Sequence, residues 1–226
     1  MFVFLFTKID LLSGILYNLS IQTLFNPGTA HMEHKYSAER KQHIFNAAIQ
    51  LFKEKGYDST TIRDICEAAN VPVGSIYHHF KNKESFLLEH AITIGTKGHQ
   101  ILDDAPADAD PVETLSSYYI YKASILQETG CILCQSINEK FNSLWMTNHK
   151  YNEYSGVGCL TPYLQKCLDA GTFAFKYTAE DAAWTMQALF QGCLAYWFQI
   201  EDEIDFITIT KERFLPVVID NLTRFA

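Results

Sequence analysis

Apolar residues recur at helical spacing along most of the chain, and strand patterns are scarce. The first clear run extends from about Ser37, a residue type that caps helices, to Lys55, and Gly56 follows as the stop. Its apolar positions lie three and four residues apart, at Ile44, Phe45, Ala48, Leu51 and Phe52. This period predicts an all-α protein that begins with an amphipathic helix.

Three more helices are predicted in the next 40 residues or so, roughly one per turn signal. Thr60 or Thr61 caps the second helix, and Asn70 supplies the turn after it because Asn tolerates positive φ. Pro72 stands at the first position of a third helix, and a fourth begins at Lys83. Two short helices joined by a tight turn suit insertion into a DNA major groove, although the spacing also fits an ordinary helical hairpin.

The segment Thr61–Glu84 carries a more specific signal. Its sequence, TIRDICEAANVPVGSIYHHFKNKE, resembles the signature of TetR-family heads, with Thr at the second helix, an A-x-x-A-G-V turn, then G-x-x-Y-x-H-F and K-E. Cys66 and Asn70 stand where the family usually has Ala and Gly, and both changes are mild in size and conformation. The resemblance implies a helix-turn-helix DNA-binding head over residues 36–98 and a helical effector-binding and dimerisation body over residues 99–226.

Seven residues of the head are candidate DNA contacts, from the resemblance and from their chemistry: Thr61, Val73, Gly74, Ser75, Tyr77, His78 and Lys83. Val73 suits a thymine methyl group, and Ser75 and His78 are further candidates for base edges. Tyr77 is expected to reach phosphate, as is Lys83 at a helix N-terminus, where the alternative is a solvated surface lysine. The third helix has no Arg or Asn pair for bidentate readout, so specificity is expected to depend partly on DNA shape.

Charge is distributed unevenly between the two parts. The formal net charge is −8. Residues 33–90 hold eight Lys or Arg and eight Asp or Glu, whereas residues 91–226 hold nine against 17. The acidic body would repel DNA, so phosphate contact is predicted for the head alone.

The first 31 residues form an apolar extension whose only charged residues before residue 26 are Lys8 and Asp10. It lacks the basic start and cleavage site of a secretory signal, and polar residues interrupt any spanning helix. Three interpretations are open: a start placed too early with Met32 as the native initiator, an amphipathic accessory helix, or a signal or anchor that would tether the regulator to a membrane. We expect membrane association to be absent and the location to be cytoplasmic.

The body is predicted to be helical and non-catalytic. It shows no glycine-rich phosphate loop, Ser-His-Asp pattern or H-E-x-x-H zinc motif, so no enzyme activity, cofactor or metal is predicted. An enzyme with Cys131 as nucleophile is a weak alternative, since the nearest histidine is His149. The stretch Gly130–Glu139 resembles a G-C-L-x-x-N-L-x-x-E segment of some TetR-family sensors, but Gln135 replaces the Asn.

Cys131 has two interpretations. A thiol at a helix N-terminus is favoured as thiolate, which would suit an oxidant or electrophile sensor, with Cys134 one turn away. The alternative is a small apolar residue packed under the helix. Six cysteines without a disulfide-like ladder of spacings indicate reduced thiols, and a lone C-x-x-C is poor evidence for zinc.

The helix after Thr178 is apolar nearly all round, so it is expected to face a pocket on one side and a partner subunit on another. In the TetR family the last two helices pair across a two-fold axis, and the resemblance implies a homodimer on a double-stranded DNA operator. Pro216 should kink the last helix. The candidate effector pocket, for a small apolar or electrophilic molecule, consists of Cys131, Trp145, Trp184, Phe190 and Trp197, although aromatic residues at these positions are also typical of plain core.

Overall fold

The computed structural model describes residues 27–106, 108–145, 155–200 and 203–223, and every regular element within them is helical. The helices are α1 (Pro27–Lys55), α2 (Ile62–Ala69), α3 (Val73–His79), α4 (Glu84–Asp103), α5 (Pro111–Thr129), α6 (Cys131–Trp145), α7 (Gly156–Asp169), α8 (Ala179–Trp197) and α9. The last helix, α9, is α-helical over Phe206–Ile209 and Leu215–Thr223 and π-helical over Thr210–Phe214 between them. The predicted all-α class is confirmed, whereas residues 1–26 of the predicted extension lie outside the described residues.

The head consists of α1 to α3 and the start of α4, packed around a small core. Each helix gives at least one fully buried side chain to it: Ile44 and Phe52 from α1, Ile65 from α2, Ile76 from α3 and Phe86 from α4. Burying side chains of this size contributes about 1.5 to 3 kcal/mol each. The apolar spacing in the sequence therefore marks the side of each helix that faces this core.

The turns of the head follow from residue types that the sequence marks. Gly56 ends α1 with φ of 83°, and Asn70 ends α2 in the left-handed conformation with φ of 50° and ψ of 49°. Thr61 caps α2: its hydroxyl accepts the Asp64 N–H at 3.1 Å, and the Asp64 carboxylate accepts the Thr61 N–H at 2.7 Å. This reciprocal capping box fixes where α2 begins.

Two helix starts differ from the prediction. α1 begins at Pro27, ten residues before Ser37, which therefore lies inside the helix. Proline is tolerated in a first turn, and after Gly28 no glycine or proline interrupts the chain before Gly56. Pro72 is the N-cap of α3 instead of its first residue, with φ of −68° and ψ of 151°.

The body packs α4 to α9 around a larger core in which aromatic rings predominate. Tyr119 lies 4.5 Å from Phe214 and 5.1 Å from Phe190, between ring centroids. The irregularity predicted at Pro216 occurs just before it, where the Leu215 N–H donates to the Thr210 carbonyl in a π turn. No helix of the described residues combines the length and the apolar character needed to cross a bilayer.

Candidate DNA-binding surface and effector cavity

The outer face of α3 carries large side chains in solvent. Tyr77 is 56% exposed and Val73 is 47% exposed, while Ile76 between them is fully buried and holds the helix on the head core. His78 is also exposed, and Ser75 is partly buried. An apolar residue and a tyrosine that remain this exposed on a seven-residue helix are available to a partner.

Gly74 on α3 and Thr61 at the start of α2 are two further exposed candidates of the head. A Cβ at position 74 would meet no atom within 4 Å, so the fold itself does not require glycine there. Close approach of another molecule would explain it. The Thr61 hydroxyl is exposed but already engaged, because it donates to the Asp64 carboxylate at 2.7 Å, and these hydrogen bonds lower the pKa of Asp64.

Lys83 occupies a place that neither sequence interpretation foresaw. Its ammonium donates to the Tyr57 carbonyl at 2.8 Å and to the Thr60 carbonyl at 3.0 Å, and lies 4.2 Å from the Tyr57 ring centroid. It therefore closes the loop between α1 and α2, and the alternative of a solvated surface lysine is wrong. Phosphate contact at this helix start stays a prediction, and it requires the backbone N–H groups of α4 or release of the ammonium from these carbonyls.

A cavity of about 110 Å³ lies inside the body, next to the head. Five helices line it, with α4, α5 and α8 contributing most of the wall. The lining residues are His90, Ala91, Ile94, Gly95, Gly98, Tyr118, Lys122, Leu126, Cys134, Ile137, Asn138, Gly156, Gln187, Phe190, Gln191 and Leu194. One water needs roughly 10 to 15 Å³ by this kind of measure, so the space is large enough for several waters or a small ligand.

Hydrogen bonds hold two of the polar side chains in this wall, Lys122 and His90. The Lys122 ammonium donates to Gln187 Oε1 at 3.2 Å, and burial lowers the pKa of Lys122 to about 8. His90 Nε2 lies 3.0 Å from the Thr129 hydroxyl, which donates its one hydrogen to the Ile125 carbonyl at 2.7 Å. The His90 nitrogen is therefore the donor, and burial, with a smaller effect from Lys53, lowers the pKa of His90 to about 4.

The predicted pocket residues are only partly brought together. Phe190 lines the cavity, but Cys131 does not, since it packs into the body core while Cys134 faces the space. Trp184 is 52% exposed, and Trp197 is 4% exposed with its ring centroid 5.2 Å from that of Phe206. Trp184 and Trp197 do not line the cavity because the part of α8 that reaches it lies between them. That part contributes Gln187, Phe190, Gln191 and Leu194.

Trp145 ends α6, and its side chain lies outside the described residues.

Five of the six cysteines are buried, and Cys193 is partly buried. Burial raises the pKa of Cys134 to about 12, and its thiol donates to the Leu126 carbonyl at 3.3 Å. Cys131 is 4% exposed, and none of the six cysteines forms a disulfide. Among the described residues no group of three or more His, Cys, Asp or Glu is arranged to hold a metal ion.

Residues 44–90 match the family model described as bacterial regulatory proteins, tetR family. This range covers the core, turns and α3 surface described above, and relatives that match beyond it belong to the same family. The head of the chain, over these residues, is of the TetR-family type. The coarse function follows: it is a DNA-binding transcriptional regulator.

The TetR-family relatives extend the match beyond the head. The repressor DhaR of Mycobacterium sp. strain GP1 is 34% identical over 97 residues, which cover 41% of this chain and 48% of DhaR. The regulator AcrR of Shigella flexneri is 26% identical over 194 residues, or 78% of this chain and 90% of AcrR. The structure of FadR from Bacillus subtilis, in complex with stearoyl-CoA, shares the fold with a TM-score of 0.62 and 19% identity, covering 80% of this chain and 98% of that one.

Three residues that line the cavity were not predicted from the sequence: Lys122, His90 and Gln187. Lys122 carries the clearest signal, as a lone lysine between the apolar residues Tyr119 and Ala123 of a buried helix face. Gln187 interrupts the apolar run of α8 in the same way. A polar residue inside an apolar face is a useful marker, but only packing decides whether it reaches a cavity.

Proposed function

We propose that the chain is a repressor that binds a palindromic operator as a homodimer and is released when a small molecule occupies the body cavity. The observation that carries this proposal is that the helices lining the cavity also enter the head core. The DNA-facing residues are Thr61, Val73, Gly74, Ser75, Tyr77 and His78, with Lys83 holding the loop behind them. Ligand in the cavity would then compete with DNA through the shared helices.

Two helices connect the cavity to the head. On α4, Phe86 and Leu87 are buried in the head core one turn before Ala91, which lines the cavity. On α6, Leu133 is buried in the same head core, and the next residue, Cys134, faces the cavity. A ligand that shifts either helix must therefore repack the head, because close-packed cores do not deform freely.

The homodimer is supported by an exposed apolar face on the last two helices. On α8, Trp184, Leu189 and Tyr196 are 52%, 42% and 43% exposed, and on α9 Val217 is 49% exposed. Ala188 and Gly192 lie between them at the same helical spacing and are also exposed. A continuous apolar face with small residues allows close helix pairing, and a two-fold arrangement would place two α3 helices about 34 Å apart for successive major grooves.

Between the two predicted release routes, the geometry favours a bound effector over modification of Cys131. A reactive thiol has to be accessible and readily ionised, whereas Cys131 is 4% exposed and Cys134 is held as a neutral thiol by burial. Cys131→Ser is expected to leave release by oxidants and electrophiles unchanged. Release that depends on Cys131 would restore the thiol route.

The proposal is tested by gel retardation of the DNA upstream of the chain's own gene, with a scrambled palindrome as control. Retardation should be specific for the palindrome and should weaken steeply as salt rises, because phosphate contacts release counterions. Sedimentation should show a dimer that Leu189→Glu converts to a monomer, while Tyr177→Glu, at an exposed tyrosine before α8, leaves it dimeric. A monomer without affinity for any duplex at low salt would overturn the proposal.

A further inference from the structure

A single lysine lies among aromatic rings at the wall of the cavity. The ammonium of Lys122 is 5.0 Å from the ring centroid of Phe190 and 5.3 Å from that of Tyr118. Its one hydrogen bond to a described residue is the 3.2 Å contact with Gln187 Oε1. Two of its three N–H donors therefore have no acceptor within the described part of the chain.

No carboxylate balances this charge among the described residues. Their ion pairs do not include Lys122, and the lining of the cavity contains neither Asp nor Glu. Burying an ammonium is costly unless an anion pairs with it, and one neutral amide offsets only part of that cost. Lys122 is thus poorly explained as a contribution to stability, and well explained as half of a pair that a ligand completes.

The other titratable groups near Lys122 stay neutral at neutral pH. Burial lowers the pKa of His90 to about 4, so this histidine carries no charge. Burial raises the pKa of the Cys159 thiol to about 11 and that of the Tyr119 hydroxyl well above its ordinary range. Lys122, whose pKa of about 8 leaves it mostly protonated, is the charged group of the described lining.

Gly156 leaves room for the Gln187 amide beside the ammonium. A Cβ at Gly156 would overlap the Gln187 side-chain amide and lie 3.1 Å from Lys122 Nζ. Apolar residues, among them Ile94, Ile137 and Leu194, make up much of the remaining lining. The cavity therefore offers one cation together with apolar wall, at a size that fits a short molecule.

We propose that the cavity binds a small amphipathic organic acid whose carboxylate pairs with Lys122 and whose apolar part lies against Ile94, Ile137 and Leu194. The Gln187 amide N–H donates to the same carboxylate. This inference rests on the proposed role of the cavity as the effector site, and adds the charge and chemical class of the effector. Neutral and cationic molecules of the same shape bind more weakly, because they leave the lysine unpaired.

The test is calorimetric titration of the full-length chain at pH 7 with three probes of equal length, octanoate, 1-octanol and octylamine. Octanoate should bind at least about tenfold more tightly than 1-octanol, with octylamine weakest, since hydrogen bonds to charged groups add that much or more. Lys122→Met should lower octanoate affinity by at least about tenfold and leave 1-octanol nearly unchanged, whereas Lys122→Arg keeps the preference. Lys166→Met, at an exposed lysine on α7, is the matched control.

Equal affinity for octanoate and 1-octanol, binding of none of the probes, or unchanged octanoate affinity in Lys122→Met would each overturn the inference. Thermal unfolding checks that Lys122→Met folds, and its Tm should rise because a poorly paired charge is removed. Gel retardation is measured separately. Octanoate that binds through Lys122 without releasing DNA would support the acid site and remove the proposed effector role.

Discussion

The head presents five of its seven candidate contacts on one short helix, α3, whereas the body assembles its cavity from five helices. In the head, Val73 to His78 lie within six consecutive positions and are mostly exposed. In the body, His90 and Leu194 line one cavity although about a hundred positions separate them in the chain. A local surface depends on the residues that form it, while an assembled cavity depends on every helix that brings its wall together.

This difference has a consequence for substitution. Exposed residues of α3 can change with little effect on stability, because they contact little of their own chain. Residues of the cavity wall also hold helices together, so their replacement alters folding and binding at once. Substitutions at the junction, where α4 belongs to both regions, test how far the two can be separated.

The largest expected effect is at His90, which lies on the junction. Its ring contacts Phe45 of the head at 6.2 Å between centroids and bonds to Thr129 of the body. The pKa is about 4 in the folded chain and about 6.5 when unfolded, so between these values only the unfolded state binds the proton. Stability from the neutral ring is complete above pH 6.5 and is lost as pH falls to 4, by up to about 3 kcal/mol.

Urea unfolding from pH 7 to pH 4 measures this loss for the wild type and for His90→Gln, which keeps a donor for Thr129 but does not titrate. The variant should lose less stability over this range. His99→Gln, on the same helix with its half-buried ring beside Asp103, is the comparison for loss of a histidine elsewhere on α4. If the free energy of unfolding falls equally with pH in the wild type and in His90→Gln, the junction does not hold a neutral histidine.

The second effect separates structure from DNA contact at Lys83. Lys83→Met keeps the aliphatic stem but removes the side-chain donor of the Thr60 carbonyl and one of the two donors of the Tyr57 carbonyl, so the free energy of unfolding should fall by about 2 kcal/mol. Lys81→Met, two residues away and exposed, should change it little. Denaturant unfolding gives both values. A different result would assign Lys83 to a phosphate. In that case stability would be unchanged, and the slope of the logarithm of DNA affinity against the logarithm of salt concentration would be smaller by about one.

The same contrast explains what the sequence could predict. The head fold follows from local signals, since Gly56, Thr61 and Asn70 each act on their own turn and the apolar period marks one core. The place of Lys83 was missed because its acceptors lie more than 20 residues away. In the body, Phe190 lines the cavity and Trp184 does not, and the sequence could not distinguish them because an all-apolar helix does not reveal which face meets which neighbour.

A third prediction compares two exposed tyrosines, one in each region. Tyr77→Ala should lower operator affinity about tenfold, near 1.4 kcal/mol, without a change in Tm, because the side chain is 56% exposed and its proposed partner is DNA. Tyr177→Ala, at a 68% exposed tyrosine of the body, should leave affinity unchanged. Fluorescence anisotropy with labelled operator at fixed salt measures both. If Tyr77→Ala and Tyr177→Ala bind the operator with equal affinity, Tyr77 is not part of the proposed interface.

The smallest expected effect concerns two helix N-caps, one in the head and one in the body, that have the same geometry. Thr61 and Thr178 each accept the N–H of an aspartate three residues on at 3.1 Å and donate to its carboxylate at 2.7 Å. Replacing either by Ala should cost about 1 kcal/mol of stability, as N-caps do.

Only Thr61 belongs to the head, so Thr61→Ala should weaken operator binding more than Thr178→Ala at equal loss of stability. Chemical unfolding and anisotropy on the two variants distinguish the cap from the contact. If both variants lower operator affinity equally, Thr61 affects DNA binding only by fixing the start of α2. The proposed DNA-contact surface would then no longer include Thr61.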